Sequence, residues 1–386
     1  MQQRFDITVI GAGPAGSTAA LNAAIAGKTV CLLERNEQPG VPVRCGEGIG
    51  LEHLASLIDI QQKWIRQYIS KSEMISPDGT RVFLSDIDKS VILDRVLFDG
   101  DLAKKAVMHG TQLFVKTPVT SISRDPEGNY ICHCPEGTFI SKLVIIADGV
   151  ESRAARSLGW NTMLSADDIE SCAFTRVVSQ HIKQDTCIFY VGSQVAPGGY
   201  AWIFPRGDNE ANVGLGINGS HCSPGKPQKA LLDFINHEIP GSKIDTIHYG
   251  GVPVTHYIRP LVKDGAILVG DAARQVNCLS GAGIGYALYA GGIAGKIAAE
   301  ALNDEYINFN HLKNYEKQWK KKYGRQQERS YILKEFLVHH TDDQFLNRIA
   351  DKLSKKNGRK TGLLAVFLTA FSRHPLLMFK AFKLFG

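Results

Sequence analysis

The chain has 386 residues, 44% hydrophobic and 21% charged, which is enough for a sizeable core, two packed domains and an extension. This composition excludes a disordered, collagen-like or disulfide-scaffold protein. The eight cysteines are scattered without paired C-x-x-C motifs, so reduced thiols and no metal site are expected. The net charge of +6 is uneven: residues 311–386 carry 17 Lys and Arg against 6 Asp and Glu.

Residues 5–10 form an apolar run that reads as a buried strand. Gly11-Ala12-Gly13-Pro14-Ala15-Gly16 follows, then a small-residue helix over 14–27 and a second strand over 29–34. This is a β-α-β unit of the usual ~30 residues. In such a loop Gly11 permits the tight turn and Gly13 lets backbone approach a pyrophosphate. Gly16, beside Ala15, lets helix and strand pack closely. The helix N-terminus then receives the anion, and Glu34 stands where a carboxylate accepts ribose hydroxyls.

Further on, residues 51–66 read as helical, 71–84 as short strands with a Pro77-Asp78-Gly79 turn, and 94–109 as a helix. Residues 112–125 and 130–134 read as strands, with Val119 placed where strand backbone meets an adenine, and 143–147 as a buried strand. From 172 to 257 short alternating strands predict a mostly antiparallel sheet. A second glycine pattern, Gly214-Leu215-Gly216-Ile217-Asn218-Gly219, precedes turn-like residues and is read as strand and loop. Residues 266–269 return to a buried strand, 283–302 to a small-residue helix, and the rest is helical and basic.

Two motifs end buried strands: Ala147-Asp148-Gly149, and Val269-Gly270-Asp271-Ala272-Ala273 with Gly281-Ala282-Gly283-Ile284-Gly285 after it. With the N-terminal loop they resemble the glutathione-reductase-type FAD proteins of the hydroxylase-like branch. That resemblance implies FAD as cofactor. It implies that Asp271 contacts the ribityl and pyrophosphate side, that Gly283 and Ile284 approach the flavin ring, and that Arg95 in Leu93-Asp94-Arg95-Val96-Leu97-Phe98-Asp99 also contacts FAD.

Pro42-Val43-Arg44-Cys45-Gly46-Glu47-Gly48 and Pro197-Gly198-Gly199-Tyr200-Ala201-Trp202-Ile203-Phe204-Pro205 resemble signatures of the geranylgeranyl reductase family. The resemblance covers roughly residues 1–310 and is nearest to the archaeal digeranylgeranylglycerophospholipid reductases. One departure is Gly46, where the archaeal pattern often has Ala. The resemblance implies hydrogenation of geranylgeranyl double bonds on membrane glycerophospholipids, with Cys45, Gly46 and Gly48 beside FAD. Tyr200, Trp202 and Phe204 alternate and so share one strand face, which suits either the wall of an apolar prenyl tunnel or a plain aromatic core. Cys45 is the candidate catalytic residue, either donating a proton or packing inertly on the ring, and Glu47 is a weaker candidate for orienting flavin or water. Alternatives are a prenyl reductase for menaquinone or a chlorophyll precursor, an FAD monooxygenase, a flavin halogenase, and a non-catalytic lipid escort protein.

The fold class expected is α/β: a Rossmann-type FAD-binding domain (1–70, 91–171, 258–310), a mostly antiparallel substrate domain (71–90, 172–257) and a basic helical C-terminal region (311–386). No second complete nucleotide-binding unit is read, so electrons come from an external donor, ferredoxin or NADPH. No leader and no run of about 20 apolar residues is read. The expected location is cytoplasmic, with peripheral contact at the inner face of the membrane through the basic end, whose bland alternative is a solvated or capping helical tail. No nucleic-acid partner is expected.

Overall fold

The computed structural model describes residues 2–84, 89–303, 307 and 309–355. They form two compact units, each assembled from separate stretches of chain. The first comprises Met1–Val43, Arg95–Leu164 and Pro253–Glu328; the second comprises Arg44–Asp94, Ser165–Val252 and the chain from Arg329.

The first unit is built on a sheet ordered Val262–Lys263, Ala266–Leu268, Gly137–Ile146, Gln2–Ile10, Val30–Leu33, Gln112–Phe114. Gln2–Ile10 runs parallel to both its neighbours. Its inner residues Ile7 and Val9 are fully buried, as are Leu32 and Val144 beside them, which fits a parallel sheet covered on both faces. Helix Pro14–Ile25 is rich in alanine because helix Ile284–Ala301 lies almost backbone to backbone with it: a Cβ at Gly291 would sit 2.1 Å from Ala15 O, and one at Gly295 would sit 2.2 Å from Ala19 O. Helix Phe309–Trp319 completes the core with Leu312, Tyr315 and Trp319. The buried Tyr315 hydroxyl donates to Leu268 O at 2.9 Å and accepts from Gln275 Nε2 at 2.9 Å, so neither polar group is stranded.

The second unit holds a sheet ordered Lys243–Ile244, Ile169–Val178, Glu210–Asn218, Tyr200–Gly207, Thr186–Val191, Lys71–Ile75, Arg81–Phe83. One face buries Ala173, Ala201, Val213 and Leu215 against Leu231, Phe234 and Ile235 of helix Lys226–Glu238. The opposite face packs Phe174, Trp202 and Phe204 with Ile69 and Ile92, which belong to a small sheet ordered Gly48–Gly50, Ser90–Leu93, Ile65–Ile69.

The expected fold class holds, with local differences. Residues 51–66 are not one helix: helix Leu51–Ala55 ends early and Ile65–Ile69 is a strand, because its period-2 pattern pairs with Ser90–Leu93. The 112–125 strand is split into Gln112–Phe114 and Ser121–Arg124. Between them Pro118 has no N–H to donate and Lys116 has a φ of 53°. Helix Lys226–Glu238 stands within the region read as mostly antiparallel sheet. Residues 44–70 fall in the second unit because two of its strands flank Ser90–Leu93, and the C-terminal region divides at Glu328/Arg329. The apolar segments at 362–368 and 376–385 lie outside the described residues.

Candidate active site

In the first unit the glycine loop turns sharply out of the Gln2–Ile10 strand. Gly11 has a φ of +96°, and a Cβ there would lie 2.3 Å from Ala147 O; one at Gly16 would lie 1.8 Å from Gly11 O. Both glycines are therefore demanded by the protein itself. Gly13 differs: its φ is −70° and nothing stands within 4 Å of a Cβ placed there. The space above it, at the uncapped N-terminus of helix Pro14–Ile25, is open. Free amide hydrogens and the helix dipole favour an anion there. Ala15 lies in the first turn, its backbone pressed beneath Gly291.

Glu34 is buried at the end of Val30–Leu33. Its Oε2 accepts from Ala12 N at 2.9 Å and its Oε1 from Asn36 N at 2.8 Å, which ties the carboxylate to the glycine loop. Backbone bonds from Thr117 N to Glu34 O (2.8 Å) and Lys116 N to Asn36 O (2.9 Å) bring the 115–120 connection alongside. Val119 therefore sits in this connection and not in a strand.

The other motif residues gather at the start of helix Ile284–Ala301. Asp271 lies in the short turn Gly270–Ala273, and burial pushes its carboxyl up to about 6, partly opposed by the Arg95 guanidinium. Arg95 itself is clamped by Asp99 through two 2.8 Å bonds. A Cβ at Gly283 would be 3.4 Å from Asp271 Oδ1, and the helix that Ile284 begins has no side-chain cap. Burial also raises the Asp148 carboxyl. Its Oδ2 accepts from Ala154 N at 3.0 Å, and its buried Oδ1 has no hydrogen-bond partner among the described residues. Two uncapped helix starts, an open side above Gly13 and a fixed Glu34 fit a dinucleotide such as FAD.

The second unit carries the other motif residues. Register pairs Tyr200 with Gly216, Trp202 with Gly214 and Phe204 with Asn212, and on the far side of that strand Gly216 pairs with Cys172, Gly214 with Phe174 and Asn212 with Arg176. Gly214 is needed for the indole to lie across its strand, since a Cβ there would be 2.3 Å from Trp202 Cζ2. Trp202 Nε1 donates to Asn212 Oδ1 at 2.9 Å; Asn212 Nδ2 donates to Cys45 O at 2.9 Å and to Glu47 Oε2 at 3.3 Å. Glu47, with a φ of 69°, pairs with the buried Arg206, which also holds Glu210 Oε1 at 3.1 Å. These bonds seat the Cys45–Gly48 loop on the aromatic face. A Cβ at Gly46 would be 3.1 Å from Phe204 Cε2, and one at Gly48 would be 3.6 Å from it. Cys45 Sγ accepts from Glu47 N at 3.2 Å. The glycine pattern at 214–219 is part of strand Glu210–Asn218 and its following turn, not a phosphate loop.

Asn212, Arg206 and Glu170 were not marked by any motif. Asn212 had one usable signal: it alternates with Gly214 and Gly216 and so shares their strand face.

Residues 168–254 match the family model of the geranylgeranyl reductase catalytic domain, and residues 6–166 match that of lycopene cyclase protein. Among relatives, digeranylgeranylglycerophospholipid reductase 2 of Methanococcoides burtonii is 38% identical over 98% of this chain and 95% of its own length. The digeranylgeranylglycerophospholipid reductase of Methanothrix thermoacetophila is 38% identical over 98% of both. A geranylgeranyl bacteriochlorophyll reductase-like crystal structure from Thermoplasma acidophilum superposes with a TM-score of 0.92 at 28% identity, covering 100% of both chains. A flavin-dependent brominase, at 17% identity and a TM-score of 0.72 over 98% of each chain, shares the fold alone. With relatives of this identity matched over almost the whole chain, the chain belongs to the digeranylgeranylglycerophospholipid reductase family of FAD-dependent oxidoreductases.

Proposed function

We propose that the protein hydrogenates the double bonds of geranylgeranyl chains carried on a membrane glycerophospholipid. The observation that carries this reading is the strand face of Tyr200, Trp202 and Phe204, with the Cys45–Gly46 loop bonded to it through Asn212. A buried aromatic face of this kind offers dispersion contacts to an apolar chain and excludes water. When bound, FAD supplies a hydride in its reduced form.

The chain's own residues bind and orient. The amides around Gly11, Gly13, Ala15 and Gly16 take the pyrophosphate, Glu34 the ribose, and Asp271 with Arg95 the ribityl side. Gly283 and Ile284 present an uncapped helix start toward the flavin ring. In the second unit Tyr200, Trp202 and Phe204 hold the prenyl chain. Cys45, Gly46 and Gly48 form the loop beside FAD, where the Cys45 thiol is a proton donor or a packing group. An isolated alkene is unpolarised, so close and dry placement is the main lever on its rate.

The electron donor is ferredoxin or NADPH. No helix among the described residues is long and apolar enough to cross a membrane. The basic C-terminal end supports peripheral contact with anionic lipid at the inner face. The reading is tested by incubating chemically reduced enzyme with digeranylgeranylglycerophospholipid and weighing the products. A gain of two mass units for each double bond lost is expected. A product that gains oxygen or halogen with every alkene intact refutes it.

A further inference from the structure

The second unit contains one more acid with a buried carboxyl oxygen. Glu170 lies on strand Ile169–Val178, and its Oε2 is buried with no hydrogen-bond partner among the described residues. Two glycines let that oxygen lie close against their backbone: a Cβ at Gly199 would be 2.7 Å from it and one at Gly216 3.5 Å from it. The same Gly216 position is 3.3 Å from Cys172 Sγ, and Tyr200 pairs directly with Gly216. Glu170, Cys172 and Tyr200 thus cluster around the Gly199 and Gly216 backbone at the end of the aromatic face. We propose that Glu170 is the acid that delivers the proton half of the hydrogenation, an inference that rests on the reading of the chain as an alkene reductase.

The step balances as follows. The π pair of the alkene forms a C–H bond with the Glu170 proton, whose O–H electrons remain on the carboxylate. The neighbouring carbon takes a hydride, with its electron pair, from reduced FAD. The alkene gains two electrons and two hydrogens, the flavin loses two electrons, and water reprotonates Glu170. The groups facing Glu170 are Asn218 on the paired strand, Lys334, Cys172 and Tyr200, with Cys45 close to the last two. Asn218 and Lys334 favour its ionised form, but burial outweighs them and pushes the carboxyl up to about 8. The same burial drives the Cys172 thiol and the Tyr200 phenol far above their ordinary values. A general acid works best when it holds its proton at the working pH and yet releases it readily. Glu170 meets both conditions, whereas Cys172 and Tyr200 meet only the first. Cys45 is then the packing group of its loop.

The test uses full-length holoenzyme, reduced with dithionite and mixed with digeranylgeranylglycerophospholipid vesicles, comparing wild type with Glu170→Gln and Glu170→Asp. Glu170→Gln is expected to keep its FAD content and to lose about 10²–10⁴-fold in alkene reduction. The wild-type rate is expected to fall tenfold per pH unit above about 8. Glu170→Asp should recover part of the rate and keep a falling alkaline limb. Infrared difference spectra supply a readout independent of turnover: a carboxylic-acid carbonyl band, absent in Glu170→Gln, should vanish near the same pH. Wild-type turnover by Glu170→Gln, or a reduced rate with the same alkaline limb as wild type, overturns the proposal, as does the absence of that band. Wild-type enzyme that leaves every alkene intact overturns the reductase reading, and this step with it.

Discussion

Replacing Asn212 with alanine tests whether its hydrogen bonds hold the Cys45 loop in place. Asn212 is 2% exposed, and its amide bonds the Trp202 indole, the Cys45 carbonyl and the Glu47 carboxylate. The substitution strips a buried partner from all three. A buried polar group left unpaired costs about 1–3 kcal/mol, and Glu47 keeps its bond to Arg206. Two stranded groups therefore set the expected loss at about 2–6 kcal/mol. The assay is urea unfolding of wild type, Asn212→Ala, Trp202→Phe and the double variant. Trp202→Phe removes the N–H donor together with part of the buried ring; the cost of the smaller ring enters with and without Asn212, so the cycle isolates the coupling between the two side chains. A coupling of about 0.5–3 kcal/mol is expected for residues in direct contact. Additive losses, or a cost for Asn212→Ala below about 0.5 kcal/mol, would refute the claim that this amide seats the loop.

The remaining predictions concern the cofactor, the pH response and the membrane. Gly13→Val should fold with near wild-type stability yet bind no FAD, because its side chain meets no protein atom. Gly11→Val should fail to fold, since its Cβ would collide with Ala147 O; circular dichroism and flavin absorbance separate the two outcomes. The Asp271 carboxyl is raised to about 6, against about 3.9 in an unfolded chain. Flavin-free protein therefore loses stability as pH rises from about 4 through 6. Asp271→Asn should be more stable than wild type at pH 7 by on the order of 2–3 kcal/mol. That gain should vanish below about pH 4, and denaturant midpoints across pH would show it. Gly46→Ala needs Phe204 to give by a few tenths of an ångström, so a cost within about 1–3 kcal/mol with retained FAD is expected; complete unfolding would contradict that contact. A chain ending near Lys360 should bind anionic liposomes less than the full chain does at low salt, and equal co-sedimentation would disprove membrane contact through the tail.

The nucleotide-binding half was legible because its signals are local. Gly11, Gly13, Gly16 and Glu34 fall within one β-α-β unit, and Gly11 and Gly16 each have a separate steric reason. The alternation of Tyr200, Trp202 and Phe204 likewise placed them on one face. What stayed hidden depends on distant partners. The bond from Asn212 to Cys45 spans 167 residues, and no pattern in either segment names the other. Glu170 carries no motif, and its setting comes from Gly199, just before one strand, and Gly216, on another, whose backbone its carboxyl approaches closely. Residues 51–66 looked helical because Leu54, Leu57 and Ile58 follow helical spacing, whereas Ile65–Ile69 takes its structure from pairing with Ser90–Leu93. Helix Lys226–Glu238 was masked by the turn residues before it, although Leu231, Phe234 and Ile235 form its buried stripe.

The division of each unit among separate stretches of chain also bears on how the protein is made. Synthesis proceeds from the N-terminus at about 5–20 residues per second, and domains commonly fold as they emerge. Here Gly137–Ile146 leaves the ribosome without one of its parallel partners, Ala266–Leu268, which is translated 120 residues later. In the interval the chain must make almost the whole large sheet of the second unit, from Ile169–Val178 to Lys243–Ile244. An unpaired apolar strand edge is open to wrong partners for that time. Slowing translation between residues 146 and 266 should therefore increase aggregation, unlike in proteins whose domains follow one another along the chain.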